Sequence, residues 1–151
     1  MKRIKIILLL FLCSMFTYAQ NSFYNKFANM DGVSFVYISK AMLNMVSGIG
    51  GADVDIAKIA PKLDNIMVIK SEKSSVIAKM KKEAACFSAK NGYEEMMRVN
   101  DSDENVAIYH KKNKGKKNEF VLLVGEKDEF SIIVFTGEMT LKNIKGIKDK
   151  L

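Results

Sequence analysis

The chain has 151 residues, with 24 Lys+Arg against 17 Asp+Glu, one His, two Cys and no Trp, for a formal net charge of +7. That length holds one domain with a real core. Once the leader described next is removed only Cys86 remains, which excludes an internal disulfide and any metal site built on paired cysteines.

Lys2, Arg3 and Lys5 form a positive n-region, residues 6–16 an apolar stretch broken only by Ser14, and Thr17-Tyr18-Ala19 a small-residue cleavage signal. Residues 1–19 therefore read as a signal peptide and residues 20–151 as the mature chain. The apolar stretch is short of the ~20 residues of a spanning helix, so no integral membrane segment remains after cleavage. A lipoprotein reading through Cys13 is less favoured, because Leu12 stands where a small residue is needed. Losing three cations leaves 21 basic against 17 acidic residues, a net +4 that argues solubility before a polyanion partner.

In chain order, residues 22–29 form a short helical lead-in with Phe23 and Phe27 one turn apart. Asp31-Gly32 marks a turn and residues 33–38 a β-prone run. Ser39 caps a helix from Lys40 with Ala41, Met42, Met45 and Val46 as its apolar side, ended by the glycines at 48, 50 and 51. Asp53 or Asp55 caps a further helical segment through Leu63, with Pro61 inside it. Residues 66–69 suit a strand, although their neighbours allow a helix to continue. The clearest helix spans 72–90, stopped by Asn91-Gly92, with Val76, Ile77, Met80, Ala84 and Phe87 on one arc and Ala85, Cys86 and Ala89 as a small-residue flank.

Four apolar runs follow, at 93–99, 105–111, 119–124 and 130–135, separated by polar turns, and read as an antiparallel meander. In the second run Val106, Ile108 and His110 face one way and Ala107, Tyr109 and Lys111 the other. The last two runs are apolar on both faces, so they are central and covered on both sides, or one face meets another chain. Thr140 caps a last helix with Leu141, Ile144, Ile147 and Leu151 on one stripe. The fold class is α+β: a mainly antiparallel sheet, its C-terminal part a four-strand meander, with one long helix on a face and smaller helices around it. The partner of the first strand stays open.

The order of these segments carries a resemblance. An Asp-Gly-Val turn leads into Val36-Tyr37-Ile38-Ser39-Lys40-Ala41-Met42; a long helix and Tyr93-Glu94-Glu95-Met96-Met97 follow. Then come Val106-Ala107-Ile108-Tyr109, Glu119-Phe120-Val121-Leu122-Leu123 and a strand closing on Thr136-Gly137. From about Phe23 to Leu151 the chain resembles the small exported domains of Bacteroidetes grouped as domain-of-unknown-function family 4252. The resemblance implies export, an α+β domain and a cell-envelope setting, and supplies no catalytic residues.

Of the chemistry-bearing features, the strongest is the run of Lys111, Lys112, Lys114, Lys116 and Lys117, five lysines in seven positions. It suits contact with an anionic lipid or glycan surface, but as a hairpin tip it also discourages edge-to-edge pairing. No arginine or aromatic interleaves it, so nucleic acid is not expected. His110 lacks a His-x-x-x-His or His-x-Glu partner and reads as a strand residue. Cys86 lacks a signalled base and reads as packing, with an intermolecular disulfide as the other use of an odd thiol. Residues 100–105 fail the calcium-loop pattern, with Val106 at the glycine and Lys112 at the glutamate position. Gly48-Ile49-Gly50-Gly51 lacks the third glycine of a dinucleotide fingerprint. The eight methionines left after cleavage are scattered as core filler is.

No catalytic set, cofactor site or metal site is expected. The sequence reads as an exported, periplasmic or envelope-associated domain that is a non-enzymatic interaction module, its partner an envelope protein or a second copy. The alternative is a peripheral binder of anionic lipid or glycan through the lysine loop. Last comes a small hydrolase using His110 and unplaced carboxylates.

Overall fold

In the computed structural model the backbone is described for residues 19–48, 59–115 and 117–140, and the side chains for 23–45, 59–115 and 117–140. The expected leader before Ala19, Cys13, the caps Asp53 and Asp55, Val46 as a side chain, Lys116 and the last helix after Thr140 lie outside the described residues.

The fold is α+β. Helix α1 (Ala19–Ala28) leads into strand β1 (Ser34–Ser39), helix α2 (Lys40–Gly48), strand β2 (Leu63–Ser71) and helix α3 (Ser74–Ala84). Strands β3 (Glu94–Asn100), β4 (Glu104–Lys112), β5 (Asn118–Glu126) and β6 (Phe130–Gly137) complete it. All six strands join one sheet in the order β1-β2-β6-β5-β4-β3, every pairing antiparallel. The four C-terminal strands thus pair in chain order, and β2 returns to the free side of β6 and carries β1 outward.

The strands that are apolar on both faces, β5 and β6, are the two central ones, and helices of the same chain lie over both faces. On one side Phe120, Leu122 and Phe135 pack with Val106 and Ile108 under Leu43 of α2, Ile59, Leu63 and Met139. On the other, Val121, Ile132 and Val134 pack under Phe27 of α1 and Val76, Met80 and Ala84 of α3. Each such fully buried side chain contributes roughly 1.5–3 kcal/mol. Alternation along β4 follows the expected split, Val106 and Ile108 to one cluster and Tyr109 to the other.

The long helix is shorter than its periodicity suggests. It spans Ser74–Ala84, not 72–90. Past Ala84 the amides of Ala85, Cys86 and Phe87 bond to carbonyls three residues back, and Ser88 is extended (φ −143°, ψ 165°). That break lets Phe87 turn into the core, its ring 5.2 Å from those of Phe23 and Tyr93. The Asn91 side-chain amide then donates to the Cys86 carbonyl (2.7 Å), and a 3-10 turn (Ala89–Asn91) ends at Gly92 with φ 80°. Gly92 is the stop that its sequence position indicates; it stops a different, shorter turn. Of the helix expected up to Leu63, the described end is a 3-10 turn (Ala60–Lys62) with Pro61 in its first turn, and Leu63 already belongs to β2.

Candidate functional site

The two edges of the sheet are built differently. Strand β3 carries Glu94, Glu95 and Arg98, and its register with β4 shifts between Glu95 and Met97. Charges and a bulge are the standard protection of an exposed edge. Strand β1 reads Ser-Phe-Val-Tyr-Ile-Ser, without a charge, and pairs with β2 in unbroken register. Its Val36 is 46% exposed and Tyr37 55%.

Helix α2, which follows β1 directly, carries further exposed apolar side chains. The Ser39 hydroxyl accepts from the Met42 amide (3.4 Å), as its capping position implies. The stripe expected to face the core, however, faces out: Ala41 is exposed, Met42 is 51% and Met45 63% exposed, and Leu43 is the residue that enters the core. This corrects the sequence reading. The helix has apolar residues on opposite sides, and β1 runs into it without a connecting residue, so the strand's direction selects which side meets Leu63 and Met139.

The lysine run forms the β4–β5 hairpin, but its charges diverge. The Lys111 ammonium lies over the Tyr93 ring, 4.8 Å from its centre. Lys117 reaches back to Asp64 (2.7 Å), which also holds Lys40 (2.9 Å). Those two hydrogen bonds keep the Asp64 carboxyl below its ordinary range, that to Lys117 being the stronger influence. Lys112 and Lys114 are exposed at the tip with no ion pair among the described residues.

Beneath the hairpin lies the main buried polar contact. The Tyr93 hydroxyl donates to Glu119 Oε1 at 2.5 Å, and Glu119 is 7% exposed. Burial, then the hydrogen bond to Glu119, push the Tyr93 phenol far above its usual range; burial, then the Glu119 charge, do the same to Tyr24. Lys111 sits directly across the ladder from Glu119, so the carboxylate has a cation as its cross-strand neighbour. Cys86 is half-buried nearby, its thiol raised by burial and then by Glu83, which works against a thiolate nucleophile.

His110 is a structural link. Its Nε2 is 2.8 Å from Asn118 Oδ1, its ring stacks on Phe120 (4.7 Å), and the Asn118 amide donates to the Met139 carbonyl (3.0 Å). Residues 100–105 make the β3–β4 turn, where the Asp101 amide donates to the Glu104 carbonyl and Asp101 Oδ1 accepts from the Ser102 amide. Among the described residues no three His, Cys, Asp or Glu side chains gather as a metal site, and no helix is long and apolar enough to cross a membrane.

A feature absent from the sequence reading is a groove of about 300 Å³ between the end of α3 and strands β3 to β5. Lys81, Arg98, Ala107, Leu123 and Gly125 are among the residues that line it. Arg98 is already engaged by Glu95 in two hydrogen bonds and by the Tyr109 hydroxyl (2.9 Å). The groove and the β1 edge both depend on strand order, which local patterning does not encode; the charge-free run 34–39 was the one visible signal.

A family profile described as a domain of unknown function (DUF4252) matches residues 24–147. The chain belongs to this family. No curated protein matches it. Among solved structures it is similar to PA94 of Pseudomonas aeruginosa, a protein of unknown function, at 9% identity and a TM-score of 0.35, over 81% of this chain and 79% of that one. A likeness that loose carries no argument about this chain.

Proposed function

We propose that this protein is exported to the cell envelope and works there as a non-enzymatic interaction module. The observation that carries the reading is the uncharged, unbulged edge β1 continuing into the outward methionines of α2. An edge with no second strand among the described residues offers backbone hydrogen bonds to an incoming strand. Flexible thioether side chains adapt to a partner's shape. The double-faced apolar strands lend no support, because the chain's own helices cover both faces.

The test is photo-crosslinking in cells, with the reactive side chain in place of Tyr37 or Met45 and a control in place of Lys79, exposed on α3. Adducts of defined mass from the first two and not from the control are expected. Equal labelling from all three, or none, overturns the reading.

A second reading rests on Lys112 and Lys114, which project from the hairpin tip as an anion-binding pair. Replacing Lys112, Lys114 and Lys116 with Gln, while leaving Lys117 on Asp64, then abolishes binding to anionic vesicles. Unchanged binding removes it.

A further inference from the structure

We infer that the occupant of the β1 edge is β1 of a second copy of this chain, joining two sheets into one across a two-fold axis. The inference names the partner for the interaction reading above and rests on it.

Strand geometry limits the arrangement. A two-fold axis perpendicular to the sheet keeps each face on its own side, so residues directly opposite must come from the same face. The axis then passes between the two copies of one residue, and the registers that pair most of the strand centre on Val36 or Tyr37. With Val36 opposite Val36, Phe35 meets Tyr37 and Ser34 meets Ile38. With Tyr37 opposite Tyr37, Val36 meets Ile38 and Phe35 meets Ser39. In both registers no charge meets a like charge, and each places apolar or aromatic side chains opposite one another at its centre, the pairing that stabilises antiparallel ladders, with a serine at the ends.

The flanks of the strand are complementary under the same operation. Before β1 stands Asp31, which pairs with Lys73 (3.0 Å) but keeps its side chain 95% exposed; after it come Lys40, held by Asp64 (2.9 Å), and the start of α2. In the Val36 register antiparallel pairing sets Asp31 of each chain opposite position 41, next to Lys40 of the other, twice, so the exposed carboxylate gains a second cation beside the Lys73 it already holds. The carboxylates then also approach the positive ends of two helices. The protected edge β3 supplies closure. With one edge unpaired among the described residues and the other charged and bulged, growth ends at two chains and does not continue into a filament.

The experiment uses protein expressed from the full-length sequence, purified in the processed form the cells yield. Sedimentation velocity is expected to give twice the chain mass, and Tyr37→Lys, which sets like charges directly opposite in one register and diagonally across the axis in the other, to weaken dimerisation at least about tenfold with an unchanged far-ultraviolet spectrum. In case that variant fails to fold, single cysteines replace Val36 or Tyr37 with Cys13 and Cys86 changed to Ser. One of the two is expected to oxidise to a two-chain disulfide much faster than a cysteine at Lys79. A single-chain mass throughout, with neither cysteine faster than the control, overturns self-pairing. If Tyr37-site photo-crosslinks then reach a different protein, the interaction reading survives without the dimer; if they reach nothing, both fall.

Discussion

At the scale of single residues, the polar contacts are few and decide much of what can be tested. Tyr93 is the hydroxyl donor to a nearly buried carboxylate, so Tyr93→Phe removes the bond while keeping the ring that packs on Phe87. Leaving Glu119 short of a partner is expected to cost about 1–3 kcal/mol in chemical denaturation. Asp64 gathers Lys117 from the hairpin and Lys40 from α2. The two lysines are more than half exposed and Asp64 is 19% exposed, and Asp64→Asn is expected to lose about 1 kcal/mol, less in high salt. The sign with pH follows from the lowered carboxyl of Asp64: its contribution is full above the unfolded value, near about pH 4, and fades as the pH falls through the folded one. Denaturation curves of wild type and variant should therefore converge in acid and stay apart at neutral pH.

Among the elements, the end of β6 shows how closely two segments meet. Gly137 has φ 156°, and a Cβ there would lie 2.2 Å from the Lys62 carbonyl oxygen and 2.8 Å from the Leu63 Cα, both backbone atoms. The Glu138 amide donates to that same carbonyl at 2.7 Å. Gly137→Ala is expected to destabilise by about 3 kcal/mol, read as a fall in the denaturation midpoint. In α3 the inward stripe of Val76, Met80 and Ala84 was legible because amphipathic spacing is a local property. Its early end was not, since Phe87 leaves the helix to meet rings from α1 and the chain before β3. For α2 the spacing offered two apolar sides and the wrong one was favoured. A strand fixed in a sheet, not the helix's own composition, aims Leu43 inward.

For the whole molecule, the consequence of a sheet covered on both faces is that neighbouring residues of a central strand are equally costly to truncate. Val121 and Leu122 are 0% and 1% exposed and belong to opposite clusters. Val121→Ala and Leu122→Ala are each expected to lose about 2–4 kcal/mol in equilibrium unfolding. A sheet with one wet face would make only one of them expensive. The same cover transfers the search for a binding surface from the faces to the edges, where β1 and β3 differ in charge and regularity.

What the sequence determined by itself was everything that depends on near neighbours along the chain: the α+β class, the existence and approximate limits of every strand but β2, which was left open between strand and helix, the capping of α2 by Ser39, the turns at Asp31-Gly32 and 100–105, and the family. Period and turn chemistry act over a few residues, so they can be read there. The tertiary structure alone decided where β1 and β2 join the sheet, that the central strands are covered by the chain's own helices, which side of α2 is buried and where the described lysines of the hairpin go. Those outcomes arise from pairings between residues far apart in sequence, such as β2 with β6 and Asp64 with Lys117, whose partners are brought together only when the sheet closes around its two cores.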